Sequence, residues 1–104
     1  MEDTRFIYFS AKWCGPCKAF KPLVEKLEEI GYPVFYVDID EDPVLAESHQ
    51  IRGVPSILIE QDGGVVDRMV GIQDPDTLAS KFELYYPLED EPKKDEPKKD
   101  KPKS

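Results

Sequence analysis

Scarcity sets the first bounds on this chain of 104 residues, which has two cysteines, one histidine, one tryptophan and two methionines. Two cysteines cannot build a disulfide framework, and with His49 as the sole imidazole they fall short of the four ligands of structural zinc. Long apolar runs are also missing. No stretch approaches eighteen apolar residues, so a membrane-spanning helix is not expected, and the charged start MEDTRF leads straight into a strand-like run without a secretory core. These absences predict a cytoplasmic protein, in a reducing compartment that favours catalytic over structural disulfides. Positive charge is short as well: 22 acidic residues face 14 basic ones, a formal charge of −8. With few arginines among them, the chain is unsuited to a phosphate backbone, and nucleic acid is not an expected partner.

Apolar residues all but vanish after Leu88. From Asp90 the chain reads DEPKK, DEPKK, DKPKS, a Pro-and-charge repeat with nothing to build a core. We expect one domain over 1–88 and a disordered tail over 89–104. The tail holds six acidic and six basic residues, so the whole formal charge of −8 belongs to residues 1–88.

What is present concentrates in Trp13-Cys14-Gly15-Pro16-Cys17. A Cys-x-x-Cys at a helix start places its first sulfur beside unpaired N–H groups and the positive end of the helix dipole, which favours thiolate. Cys14 is thus the expected nucleophile, more exposed than Cys17, which lies one turn on and close enough to attack a mixed disulfide. A purely structural disulfide would close too short a loop to stabilise much. Pro16 suits the first helical turn, Gly15 would let the chain pass tightly between the sulfurs, and Trp13 would rim the site for substrate.

Around this motif the pattern reads βαβαββα. Arg5 to Ser10 is a strand covered on both faces; Phe20, Leu23, Val24, Leu27 and Ile30 form the apolar stripe of a helix from Pro16, which Pro22 should kink and Gly31 ends. Val34 to Ile39 reads as a second buried strand. Asp42 and Pro43 open a short helix running towards Ile51, with the string Asp38, Asp40, Glu41, Asp42 serving its dipole rather than a metal, and His49 as a partly exposed helix residue. Val54 to Glu60 and Val65 to Val70 form a hairpin about Asp62-Gly63-Gly64; Asp74 and Pro75 start a last helix carrying Leu78, Phe82 and Tyr85 or Tyr86. Two right-handed crossovers and a hairpin give a four-stranded sheet with helices on both faces.

Trp13 through Lys18, WCGPCK, resembles the active-site signature of the thioredoxin family. Pro22 in the following helix, Ile51-Arg52-Gly53-Val54-Pro55-Ser56, Asp62-Gly63 and Gly71 match that family in register over residues 5–86. The resemblance implies a three-layer α/β/α sandwich with a four-stranded mixed sheet, and catalytic Cys14 and Cys17 in a motif completed by Trp13, Gly15, Pro16 and Lys18. It also implies a cis Val54–Pro55 bond, and substrate contacts from Trp13, Gly53, Val54, Pro55 and Gly71. The function so implied is reduction of protein disulfides, in electron transport and cell redox homeostasis. No cofactor or metal beyond the redox-active Cys14–Cys17 disulfide is implied. Disulfide-containing proteins would be the substrates and a thioredoxin-reductase-type or other donor would recharge a monomer. A disulfide oxidase or isomerase, or a non-catalytic docking module on the same fold, stays open.

Two departures stand out. Family members usually begin with an additional strand and helix, so this chain resembles a short variant whose second strand becomes a sheet edge. Tyr8 and Tyr36 occupy the positions of the family's buried aspartate and neighbouring lysine, and Ser10 that of a common tryptophan. The resemblance therefore predicts a slower resolving step.

Overall fold

Seven elements occupy residues 4–85, the part of the chain that the computed structural model describes. They are β1 (Thr4–Ser10), α1 (Gly15–Glu29), β2 (Val34–Asp38), α2 (Pro43–Ser48), β3 (Ser56–Gln61), β4 (Gly64–Val70) and α3 (Pro75–Tyr85). The domain limit expected at Leu88, the repeat tail over 89–104 and Tyr86 lie outside the described residues.

The strands form one sheet in the order β2-β1-β3-β4. β1 and β2 are parallel, joined by α1, whereas β3 runs antiparallel to both β1 and β4. This corrects the expectation of two crossovers. A second crossover would need a helix long enough to return the chain past β2, whose five residues span about 17 Å. α2 has six residues, about 9 Å of helix, so β3 starts near the end where β2 stopped and runs back. The hairpin is as expected: Asp62 (φ 53°) and Gly63 (φ 88°) both take positive φ, the type I′ geometry that matches strand twist.

β1 is the spine. Phe6 and Tyr8 point to one face, packing with Phe20, Val24 and Leu27 of α1 and Leu78 and Phe82 of α3. Ile7 and Phe9 point to the other, with Val37, Leu58 and Ala46 of α2. Burial on both faces explains why this strand shows no alternation of polar and apolar residues. Phe6 lies 4.8 Å from the Phe82 ring and 6.1 Å from Tyr32, and its truncation to Ala would cost about 3–5 kcal/mol.

β2 is less buried than its composition suggests. Only Val37 is fully covered, and Phe35 is 41% exposed beneath the Arg5 guanidinium, 4.8 Å from its ring. An edge strand has a neighbour on one side only. α1 also ends earlier than its stripe implied: Ile30 is the C-cap and 67% exposed rather than a core residue. Gly31 (φ 115°) turns the chain there, its N–H bonding the Glu28 carbonyl while Tyr32 N–H reaches the Leu27 carbonyl, a Schellman closure. The helix continues through Pro22. The other helix starts follow their sequence signals: Asp42 Oδ1 accepts from Leu45 N–H at 3.3 Å, and Asp74 Oδ2 from Asp76 and Thr77 N–H at 3.0 and 3.3 Å.

Candidate active site at the start of α1

β1 delivers the chain to the site. After Ser10 a turn closed by Cys14 N–H on the Ala11 carbonyl sets Cys14 at the N-cap of α1, with extended φ and ψ of −88° and 111°. There its Sγ accepts a hydrogen bond from Cys17 N–H at 3.1 Å, the place a serine or aspartate oxygen takes in an ordinary helix. A sulfur at the N-cap meets both an N–H donor and the positive end of the dipole, and each lowers the energy of a thiolate. Cys14 and Cys17 are joined as a disulfide, with S–S 2.27 Å and Cα atoms 5.3 Å apart. In this oxidised state Cys14 and Cys17 are 4% and 3% exposed, so the expected contrast in exposure is not found. They form a buried cluster with Ala11, and Ile39 and Val54 pack against it.

The neighbours divide between expected and unexpected roles. Pro16 lies in the first turn, where no N–H is missed. Gly15 is helical, without a positive φ, and a Cβ there would meet no atom within 4 Å, so the tight passage expected of it is not what the backbone requires. Trp13 is 67% exposed, and its Nε1 donates to Asp40 Oδ2 at 2.8 Å. Lys18 stands exposed on α1.

Asp40 as the indole's acceptor has no signal in the sequence, and the four acidic residues serve four ends rather than one dipole. Asp38 Oδ1 accepts from the N–H groups of Asp40 and Glu41, Glu41 pairs with Lys12 at 3.1 Å, and Asp42 alone caps α2. Glu41 raises the Lys12 pKa. Among the described residues, no group of three or more His, Cys, Asp or Glu side chains could hold a metal ion.

The loop before β3 forms the facing wall. Val54–Pro55 is cis. Ser56 Oγ donates to the Gly53 carbonyl at 2.6 Å, and Gly71 N–H donates to the Pro55 carbonyl at 2.8 Å, so the loop is fastened from both sides. Gly53 is exposed, Val54 half-buried and in contact with the cysteine cluster, and Pro55 buried. Among the described residues no hydrogen bond engages the Val54 backbone.

Behind Cys17 stand the two tyrosines. Tyr8 is fully buried, edge-on to Phe20 and Tyr36, and its hydroxyl donates to the Cys17 carbonyl at 3.0 Å. Burial pushes its pKa up, opposed in part by a hydrogen bond with Ser10. Tyr36 donates to Glu28 Oε1 at 3.0 Å, and burial together with that carboxylate holds its pKa well above the usual phenol range. A cleft of about 770 Å³ opens between them and the exposed side of α1, bordered by Cys17, Lys18, Lys21 and Glu25. His49 is held structurally: its ring packs on Phe9 at 5.5 Å, Nδ1 donates to the Leu45 carbonyl at 2.9 Å, and Nε2 lies 3.9 Å from Glu60.

No helix among the described residues is long and apolar enough to cross a membrane. The sequence profile of the thioredoxin family matches residues 1–83. A thioredoxin of Chlamydia caviae is 42% identical over 74 residues, covering 69% of this chain and 72% of the relative. A thioredoxin of Staphylococcus aureus is 35% identical over 81 residues, covering 75% and 78%. In three dimensions, a point mutant of a Halobacterium salinarum thioredoxin superposes with a TM-score of 0.75 at 40% identity, covering 80% of this chain and 74% of that one. With a cysteine pair bridged at the N-cap of its first helix, this chain belongs to the thioredoxin family and is a thiol-disulfide oxidoreductase.

Proposed function

We propose that the protein reduces disulfides of other proteins through Cys14 and Cys17. The Cys14 thiolate attacks one sulfur of a substrate disulfide, forming a mixed disulfide and expelling the other substrate sulfur as a thiolate that takes up a proton. Cys17 then loses its proton and attacks Cys14 Sγ, closing the Cys14–Cys17 disulfide and releasing the second substrate thiol. Two electrons and two protons have passed to the substrate, and a thioredoxin-reductase-type or other dithiol donor returns them. The observation that carries this reading is Cys14 Sγ at the N-cap, accepting from Cys17 N–H at 3.1 Å.

Substrate lies along Trp13 and the Gly53-Val54-Pro55 segment beside Gly71, pairing its extended backbone with Val54 as an added strand. A cytoplasmic location, a monomer and a domain over 1–88 with a dispensable tail over 89–104 belong to the same proposal; the use of both cysteines in the redox pair supports the location, and the lack of apolar residues after Leu88 the boundary. Single cysteine variants test the roles. Cys14→Ser should abolish turnover, and Cys17→Ser should stop at a mixed disulfide visible by mass. Full turnover by Cys17→Ser, or alkylation of Cys17 before Cys14 at neutral pH in the reduced protein, would reverse the assignment.

A further inference from the structure

The sequence contains three arginines, and two of them border one hollow. Arg5 is paired, its Nε 2.8 Å from Glu60. Arg52 and Arg68 instead line a hollow of about 480 Å³ with Gly53, Ser56 and Val70, and among the described residues neither has a carboxylate partner. Arg68 Nη1 donates to the carbonyls of His49 (2.8 Å) and Gln50 (3.5 Å), which anchors the group without neutralising its charge. Its Nε and Nη2, and the whole Arg52 guanidinium, keep their donors unspent among the described residues. In a chain of net charge −8 this is an uncompensated cationic pocket.

Its position gives it a use. Gly53 is the first residue of the proposed substrate segment, and Val70 precedes Gly71, whose N–H holds the Pro55 carbonyl. A polypeptide lying along Val54 therefore passes the hollow. We infer that Arg52 and Arg68 bind the carboxylate of an Asp or Glu side chain on the substrate polypeptide, a few residues from its disulfide cysteine. The inference rests on the disulfide-reductase reading. Two guanidinium forks match a planar carboxylate, and the overall negative field of the protein disfavours polyanions such as nucleic acid, leaving a single carboxylate in a neutral stretch as the fitting ligand.

The test uses disulfide-bridged peptides differing only by Glu or Gln at successive positions flanking a cysteine. At one or two positions Glu should raise kcat/KM about three- to fivefold over Gln, as a solvent-accessible charged pair allows, and 1 M salt should remove the difference. Arg52→Gln and the Arg52→Gln/Arg68→Gln double variant should each reduce that ratio, the double variant to one, while both reduce neutral hydroxyethyl disulfide at the parental rate. A ratio of one at every position in the parent, or a ratio that survives in the double variant, overturns the inference. If the parent reduces neither peptides nor hydroxyethyl disulfide, the reductase reading fails. The pocket is then judged by NMR of the oxidised protein: Arg52 and Arg68 Nε–H signals shifting with the Glu peptide and not the Gln peptide support it, and no shift refutes it.

Discussion

The Tyr8 hydroxyl donates a 3.0 Å hydrogen bond to the carbonyl of Cys17, joining the middle of β1 to the first turn of α1 from inside the core. The bond fixes the backbone beneath the Cys17 sulfur, which resolves the mixed disulfide in the proposed cycle. Tyr8→Phe keeps the ring and its contacts with Phe20 and Tyr36 but removes the donor. We predict a loss of about 1 kcal/mol, seen as a Tm lower by roughly 4–8 °C for a domain of this size. An unchanged Tm would show that the bond contributes nothing.

The same tyrosine bears on the rate of resolution. Burial raises its pKa, so its phenol stays protonated at neutral pH and cannot accept the Cys17 proton. Tyr8→Asp would place a carboxylate there. We predict severalfold faster collapse of the mixed disulfide near neutral pH in stopped-flow traces, with lower stability from burying a charge. No acceleration would show that proton removal from Cys17 does not limit this step.

Alkaline pH should weaken the fold. Tyr8, Tyr32 and Tyr36 all have folded pKa values raised above the ordinary 10.0, Tyr32 to about 12 chiefly through its 2.7 Å hydrogen bond to Glu83. A phenol that holds its proton more tightly when folded contributes stability in full below pH 10, and that contribution is lost as pH rises through the folded value. Urea midpoints should therefore hold up to about pH 9 and fall from about pH 10 upward. Tyr32→Phe should start lower and fall less steeply between pH 10 and 12. A midpoint flat or rising above pH 10 would contradict the coupling.

Features governed by neighbours in the chain were readable from it: the Cys14 helix start, the Asp42 and Asp74 caps, the Gly31 stop and the Asp62-Gly63 turn each follow from a few adjacent residues. Features set by distant partners were not. Trp13 and Asp40 meet across 27 positions, and no local signal marks Asp40 as the indole's acceptor. The antiparallel pairing of β3 with β1 joins distant segments and has no local signal. Val34 to Ile39 reads as buried from composition, which reports what a strand prefers to touch; the edge position that leaves Phe35 41% exposed is foreseen only through the family resemblance. The helix start points to a more exposed Cys14 thiol, whereas in the disulfide both cysteines are buried, clustered with Ala11 and packed against Ile39 and Val54.

Edge placement of β2 makes its amides unequal. Ile39 N–H donates to the Ser10 carbonyl and Phe6 N–H to the Pro33 carbonyl, so in this parallel register Phe35 and Val37 also donate inward, while Val34, Tyr36 and Asp38 N–H face outward. We predict slow hydrogen exchange at Phe35 and Val37 and fast exchange at Val34, Tyr36 and Asp38. Equal protection of all five would mean that something pairs with the open edge.

Whether Cys14 and Cys17 form a reducing pair is decided by their affinity for electrons. Equilibrating the protein with glutathione buffers of graded ratio and reading the fraction of Cys14–Cys17 disulfide gives the reduction potential directly. We predict a value close to that typical of thioredoxins, about −270 mV. A value between about −180 and −120 mV, in the range of disulfide isomerases and oxidases, would contradict a reducing role.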